Sequence, residues 1–160
     1  MQTIREAFRE DAALLAHLIR DSFADVAKEF NLTPENCPNH PTNCTPEWIR
    51  LSFEKGFRYF LLENEGEACG CTALEQVGPD IFNLQRLVVP SQHRNKGFGE
   101  ALIEHVLGLA KRLGATRVQT GIIADHVHLK EWYERHSFVV TRTKHLGHLP
   151  FDVTFMAVEL

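Results

Sequence analysis

The sequence predicts a single domain of the α/β (α+β) class, with helices packed on a sheet, and three observations predict it. Apolar residues recur with a helical period in some stretches and crowd into short β-rich runs in others. The two kinds of stretch follow one another in the order β α α β β β α β α β β, which asks for mixed layers. Finally, 160 residues suffice for one hydrophobic core, so one unit spanning 1–160 is expected.

Taken in order, "TIREA" reads as a short strand, followed by a helix that Asp11 is expected to cap. Leu15, Ile19, Phe23, Val26 and Phe30 fall on one face of that helix. At "TPEW" a second helix begins: Thr45 suits the N-cap, Pro46 the first helical position, and Glu47 the positive helix end, with Gly56 as the stop. "FRYFLL", "ACGCTALEQV" and "IFNLQRLVV" are separated by the turn-forming "ENEGE" and "GPD", and three successive antiparallel strands follow. From Phe98 the spacing changes to Leu102, Val106, Leu109 and Leu113, a helix closed by Lys111, Arg112 and Gly114. "TRVQTGII" is the next strand, "DHVHLKEWYERH" a short helix with Asp125 as its expected cap, and "FVVTRT" and "FDVTFMAVEL" the last two strands. The only long irregular stretch is "NLTPENCPNHPTNC".

Composition narrows the function. A net charge of −4 and a pI near 6.1 give no support to nucleic acid or an anionic membrane as a partner, so any basic site is local. No apolar run approaches the roughly eighteen residues of a membrane span. The start is charged from Arg5 onward and lacks the apolar core of a signal peptide, which argues for a cytoplasmic location. Four cysteines are too few for a disulfide framework; Cys69 and Cys71 alternate on one strand and are expected to face the same way. Cys37, His40 and Cys44 lack a fourth ligand nearby and have wide spacing, so no metal is expected. Their segment reads instead as a proline-stiffened loop, and serine at both cysteines is expected to leave stability nearly unchanged.

One connection concentrates positive charge and glycine, the stretch Arg94-Asn95-Lys96-Gly97-Phe98-Gly99 between a strand and a helix. The first N–H groups of a helix lack internal partners and favour anions, and glycine lets a phosphate approach the main chain. A Walker A loop needs Gly-Lys-Ser/Thr, and a dinucleotide fingerprint needs a third glycine where Leu102 stands. The pattern Arg-x-x-Gly-x-Gly after "RLVV" instead resembles motif A of the GNAT superfamily, the acetyl-CoA-dependent N-acetyltransferases. "WYERHSF", about thirty residues on, resembles a second segment of that family, and the order of elements matches over nearly the whole chain.

The resemblance implies a central mixed, mostly antiparallel sheet flanked by helices, and acetyl-CoA as cosubstrate. It assigns the diphosphate of coenzyme A to Arg94, Asn95, Lys96, Gly97, Phe98 and Gly99, and the pantetheine arm to Leu87, Val88 and Val89. His126 stands where an asparagine often contacts pantetheine. Tyr133, five residues before Phe138, takes the place of the general acid, although its helix stripe with Leu129, Trp132 and His136 also suits a core. The expected basic strand carboxylate is absent, since Asn83 and Gln85 occupy the two positions and neither amide is a base. Glu75, His126 and Asp125 remain as candidates for the base. His145 and His148 lie in a loop that borders the acceptor in this family. The expected reaction is transfer of an acetyl group to a primary amine of a small molecule or a protein; the alternative is a non-catalytic CoA-binding sensor or interaction module. Many members of the family are homodimers, and the sequence selects no dimer surface.

Overall fold

A computed structural model describes residues 1–160. Its strands are β1 (Gln2–Glu6), β2 (Arg58–Asn64), β3 (Glu67–Gln76), β4 (Ile81–Val88), β5 (Arg117–Ile123), β6 (Val139–His145) and β7 (Asp152–Glu159). The helices are α1 (Ala12–Glu29), α2 (Pro46–Glu54), α3 (Phe98–Arg112) and α4 (Val127–Arg135). The order is the expected one, and the class is mixed α/β. All seven strands form one sheet in the order β1-β2-β3-β4-β5-β7-β6. Every neighbouring pair is antiparallel except β4 and β5. That parallel joint requires a crossover, which α3 supplies.

The helices cover both faces, because neighbouring strand residues point to opposite sides. On one face Phe60, Leu74, Phe82, Leu84 and Val118 pack with Ile103 and Val106 of α3 and with Tyr133 of α4. On the other, Tyr59, Leu61, Cys71 and Ala73 meet Leu15, Ile19 and Ile49 from α1 and α2. Each fully buried large side chain of this kind stabilises the fold by about 1.5–3 kcal/mol relative to exposure.

Local chemistry decides the ends of the helices. Thr45 caps α2 as expected, its hydroxyl accepting from the Trp48 N–H at 3.2 Å, with Pro46 in the first turn. Asp11 and Asp125 behave otherwise. Asp11 precedes α1 but makes no capping bond to it; its carboxylate accepts from the Phe8 N–H and pairs with Arg5 across the entry turn. Asp125 is one residue too early, since His126 occupies the cap position of α4.

Cys69 and Cys71 also depart from expectation. The β2–β3 register passes from Leu62–Gly70 to Glu63–Ala68, which leaves Cys69 as an extra residue on β3. The bulge turns Cys69 toward Leu62, Phe98 and Leu102, while Cys71 packs on the α1 and α2 side. No helix is long and apolar enough to cross a membrane.

Candidate active site

The parallel joint is short. β4 and β5 pair only at Ile81–Arg117, Phe82–Val118 and Asn83–Gln119, and the Gln119 side chain closes the last rung by donating to Asn83 Oδ1 at 2.8 Å. Beyond that rung the strands part. On its other side β4 carries a bulge, for the register with β3 passes from Ala73–Gln85 to Cys71–Val88, three steps of β4 against two of β3. Arg86 takes up the excess at φ +53°, an uncommon conformation for a residue with a side chain. A cleft of about 1420 Å³ opens at the parting and is bounded by α1, α4 and the loop before α3.

The glycine loop forms the mouth of this cleft. Gly97 caps α3 at φ +81°, which glycine adopts without steric cost. The N–H groups of residues 95–100 donate to no acceptor in the protein, and the Ala101 N–H, bonded to Gly97, is the first that does. Such a row of free donors at a positive helix end fits a diphosphate. Gly99 serves packing instead, for a Cβ there would lie 3.3 Å from the Trp132 ring, and its small size lets α4 approach α3.

Arg94 is placed by the structure in a role the sequence did not indicate. Its Nε donates to the Val89 carbonyl at 2.8 Å and its Nη2 to the Ser22 carbonyl at 2.9 Å, while Nη1 lies 2.6 Å from the Asp25 carboxylate. The guanidinium thus ties α1 to the end of β4. Partial burial alone would raise the Asp25 carboxyl, but the Arg94 hydrogen bond and charge prevail and hold it below the usual range.

Leu87, Val88, Val89, Asn95, Gly97, Phe98, Gly99, His126 and Tyr133 all line the cleft, so segments far apart in sequence meet there. Lys96 is on the same loop but exposed beside it. Tyr133 is 4% exposed and stacks edge-on against Phe138. Burial pushes its phenol up to about 12, with the Thr120 hydroxyl pulling the other way, so the oxygen keeps its proton at neutral pH. His126 packs against Phe30 and is lowered by burial, which outweighs the acidic influence of Glu29; the ring is neutral near pH 7. Glu75 lies on β3 outside the cleft lining, its carboxylate accepting from Gln85 Nε2 at 2.7 Å. Asp125 is likewise outside the lining.

The irregular stretch folds back on α1 and separates its three metal-ligand types. Cys37 packs with Ala27, Leu32 and Ile123, Cys44 with the α1 and α2 core, and His40 lies edge-on to Phe23 with Nδ1 accepting from the Thr42 N–H. Asn39, His40 and Pro41 reach the cleft wall. His145 is outside it and pairs with Asp152 at 2.9 Å, and His148 borders a smaller hollow beside Cys37 and Phe151. The cleft is also lined by Arg86, Gln119 and Arg142, which the sequence did not mark. Arg86 stood there only as the first letter of "RLVV", and the bulges that aim Arg86 and Arg142 leave no sequence signature.

This arrangement, a mixed sheet opened at its parallel joint with free helix N–H groups at the opening, is that of a protein built to hold a phosphate-bearing cosubstrate. Residues 13–138 match the acetyltransferase (GNAT) family, and the chain belongs to it. The cosubstrate of that family is acetyl-CoA. The fold is similar to the ribosomal-protein-S18-alanine N-acetyltransferase of Escherichia coli, with TM-score 0.79, 18% identity, and coverage of 99% of this chain and 94% of that one. It is also similar to the ribosomal-protein-alanine N-acetyltransferase of Brucella melitensis, with TM-score 0.75, 20% identity and 99% of both chains covered. A third similar structure is YncA of Salmonella typhimurium with its cofactor acetyl-CoA, with TM-score 0.73, 20% identity, and 99% and 94% covered. No curated protein matches the chain with significance.

Proposed function

We propose that the protein transfers an acetyl group from acetyl-CoA to a primary amine by direct attack. The carrying observation is the parted β4–β5 joint, with a buried, protonated phenol in its wall and the free N–H groups of residues 95–100 at its mouth. Bound acetyl-CoA supplies an activated acetyl thioester. The loop N–H groups bind its diphosphate. The edge of β4 at Leu87 and Val88, with the N–H of Val89 just beyond it, takes the amide-bearing arm as a further strand would, since β5 has left that edge and Arg94 occupies only the Val89 carbonyl.

Forming the new N–C bond and breaking the old C–S bond leaves a thiolate in need of a proton and an ammonium with one to lose. Tyr133 Oη holds the first proton, because burial keeps the phenol protonated until a thiolate forms to receive it. Of the bases considered, His126 lines the cleft as a neutral imidazole, whereas Glu75 faces Gln85 outside it. The geometry therefore favours His126. The test is thiol release from acetyl-CoA by the purified protein with a panel of amines, followed by detection of the acetylated product. Tight acetyl-CoA binding without transfer to any amine, peptide amines included, would leave a CoA-binding module in place of an enzyme.

A further inference from the structure

We propose that the acceptor amine carries a carboxylate, and that Arg86, with Arg142, binds it. The proposal deepens the acetyl-transfer reading and rests on it. Arg86 lies in the β4 bulge and lines the cleft where the joint has opened. Its Nη1 is bonded to the Tyr59 hydroxyl and its guanidinium lies over the Phe57 ring at 5.7 Å. Tyr59 is in turn bonded to Ser52 Oγ at 2.9 Å, and Ser52 to the Ile49 carbonyl at 2.7 Å. A chain of hydrogen bonds from α2 thus sets the orientation of the guanidinium before any ligand arrives.

What this chain lacks is a negative charge. No carboxylate lies within 4.0 Å of Arg86, in contrast to Arg58 and Arg94, each of which has one, and Arg5, which has two. Tyr59 is fully buried and its phenol is raised by that burial, so it offers Arg86 a neutral oxygen only. A half-buried guanidinium with five N–H donors and one neutral acceptor is left with donors for a planar anion. Arg142, which also lines the cleft, is exposed on β6 and shares two of these features, a bulge and an aromatic ring beneath the guanidinium. The β6–β7 register passes from Val140–Met156 to Arg142–Phe155, so Thr141 is an extra residue, and Arg142 stacks on the Phe155 ring at 4.7 Å without a carboxylate partner. Bulges near active sites re-aim side chains, and here two of them present unpaired cations to one cavity.

Asn83, Gln85 and Gln119, which also line the cleft, are neutral amides. Asn83 and Gln119 are bonded to each other, and Gln85 is bonded to Glu75. The carboxylates that do line the cleft are Asp25, Glu29 and Glu100, from α1 and α3, and Asp25 is paired with Arg94. The acceptor side is therefore cationic in a protein of net charge −4. A free amino acid meets both demands, an amine for the thioester and a carboxylate for the guanidinium.

The experiment compares free amino acids with their α-carboxamides as acceptors, using wild-type protein, Arg86→Gln, Arg86→Lys and Arg142→Gln, with acetyl-CoA affinity measured alongside. The aspartate and glutamate α-amides distinguish a side-chain carboxylate from an α-carboxylate. The wild type should prefer a carboxylate-bearing acceptor over its carboxylate-free partner by at least about tenfold in kcat/KM. In Arg86→Gln that ratio should collapse through KM, Arg86→Lys should keep part of it, and Arg142→Gln should reduce it less. Equal or better use of carboxylate-free amines by the wild type would overturn the proposal while leaving acetyl transfer intact. So would a ratio unchanged in Arg86→Gln, because a merely structural role lowers both acceptors alike. Acetyl-CoA binding with no transfer to any acceptor would instead overturn the acetyl-transfer reading, and this proposal with it.

Discussion

The two ends of β4 are built from the same strand and do opposite work. At its start, Ile81–Asn83 is bonded to β3 on one side and β5 on the other, with Phe82 buried in the main core. At its end, Gln85–Val88 keeps β3 but loses β5, and the bulge at Arg86 bends the edge away. The first end is sealed by main-chain bonds and apolar packing. The second presents strand edge, helix N–H groups and a guanidinium to a cleft. A sheet can therefore make a binding site by ceasing to pair, provided the flanking residues still anchor it.

Several substitutions would sharpen or break this contrast. The largest effect is expected at the sealed end, where Phe82→Ala removes a ring from the core and should lower stability by about 3–5 kcal/mol, read from chemical unfolding. A similar loss from Val89→Ala, at the open end, would erase the distinction. Next comes Tyr133→Phe, which keeps the ring in its packing but removes the hydroxyl proposed to donate the proton. Its kcat should fall by about a hundredfold with little change in acetyl-CoA affinity. Full turnover would return Tyr133 to a packing role alone.

Gly97→Asp adds a negative charge and strains a residue at φ +81°. With no atom within 4 Å of the added Cβ, the fold should survive, and acetyl-CoA binding should weaken by about thirtyfold, equivalent to roughly 2 kcal/mol. Calorimetry on the folded variant would show this. A smaller loss, about 1–2 kcal/mol, is expected for Cys44→Ser, since Cys44 is 0% exposed and a hydroxyl there lacks the environment of a thiol. The burial thus replaces the expectation from sequence that serine is tolerated.

The smallest effect concerns pH. Burial lowers the pKa of His126, so the neutral ring is present above the usual histidine value and is lost only as pH falls through the lower folded value. If His126 is the base, the acid limb of kcat/KM should lie below the ordinary histidine range, and His126→Gln should abolish that limb. On the alkaline side, the limb due to Tyr133 should lie near 12 and beyond that of an ordinary tyrosine. An acid limb at or above the ordinary histidine value would remove His126 from the role.

Much of this protein was decided by local sequence. Periodicity and turn residues mark the eleven main helices and strands, Thr45 and Pro46 set the start of α2, and the spacing Arg94-x-x-Gly97-x-Gly99 marks the glycine loop that opens α3. These are properties of a few neighbouring residues, so they survive being read in one dimension. What only the tertiary structure decided depends on pairs far apart in the chain. The sequence marks Arg94 as a phosphate ligand, and only the fold brings Asp25, 69 residues away, to its guanidinium. The sequence does not rank Glu75, Asp125 and His126; the fold sets Glu75 behind Gln85 and Asp125 outside the lining, and His126 in the cleft wall. Arg86 carries no mark of a site residue in the sequence, and the alternation that would turn Cys69 and Cys71 the same way fails, for one reason. A bulge is a difference in residue count between two paired strands, and that difference exists only once the partner strand and its register are known.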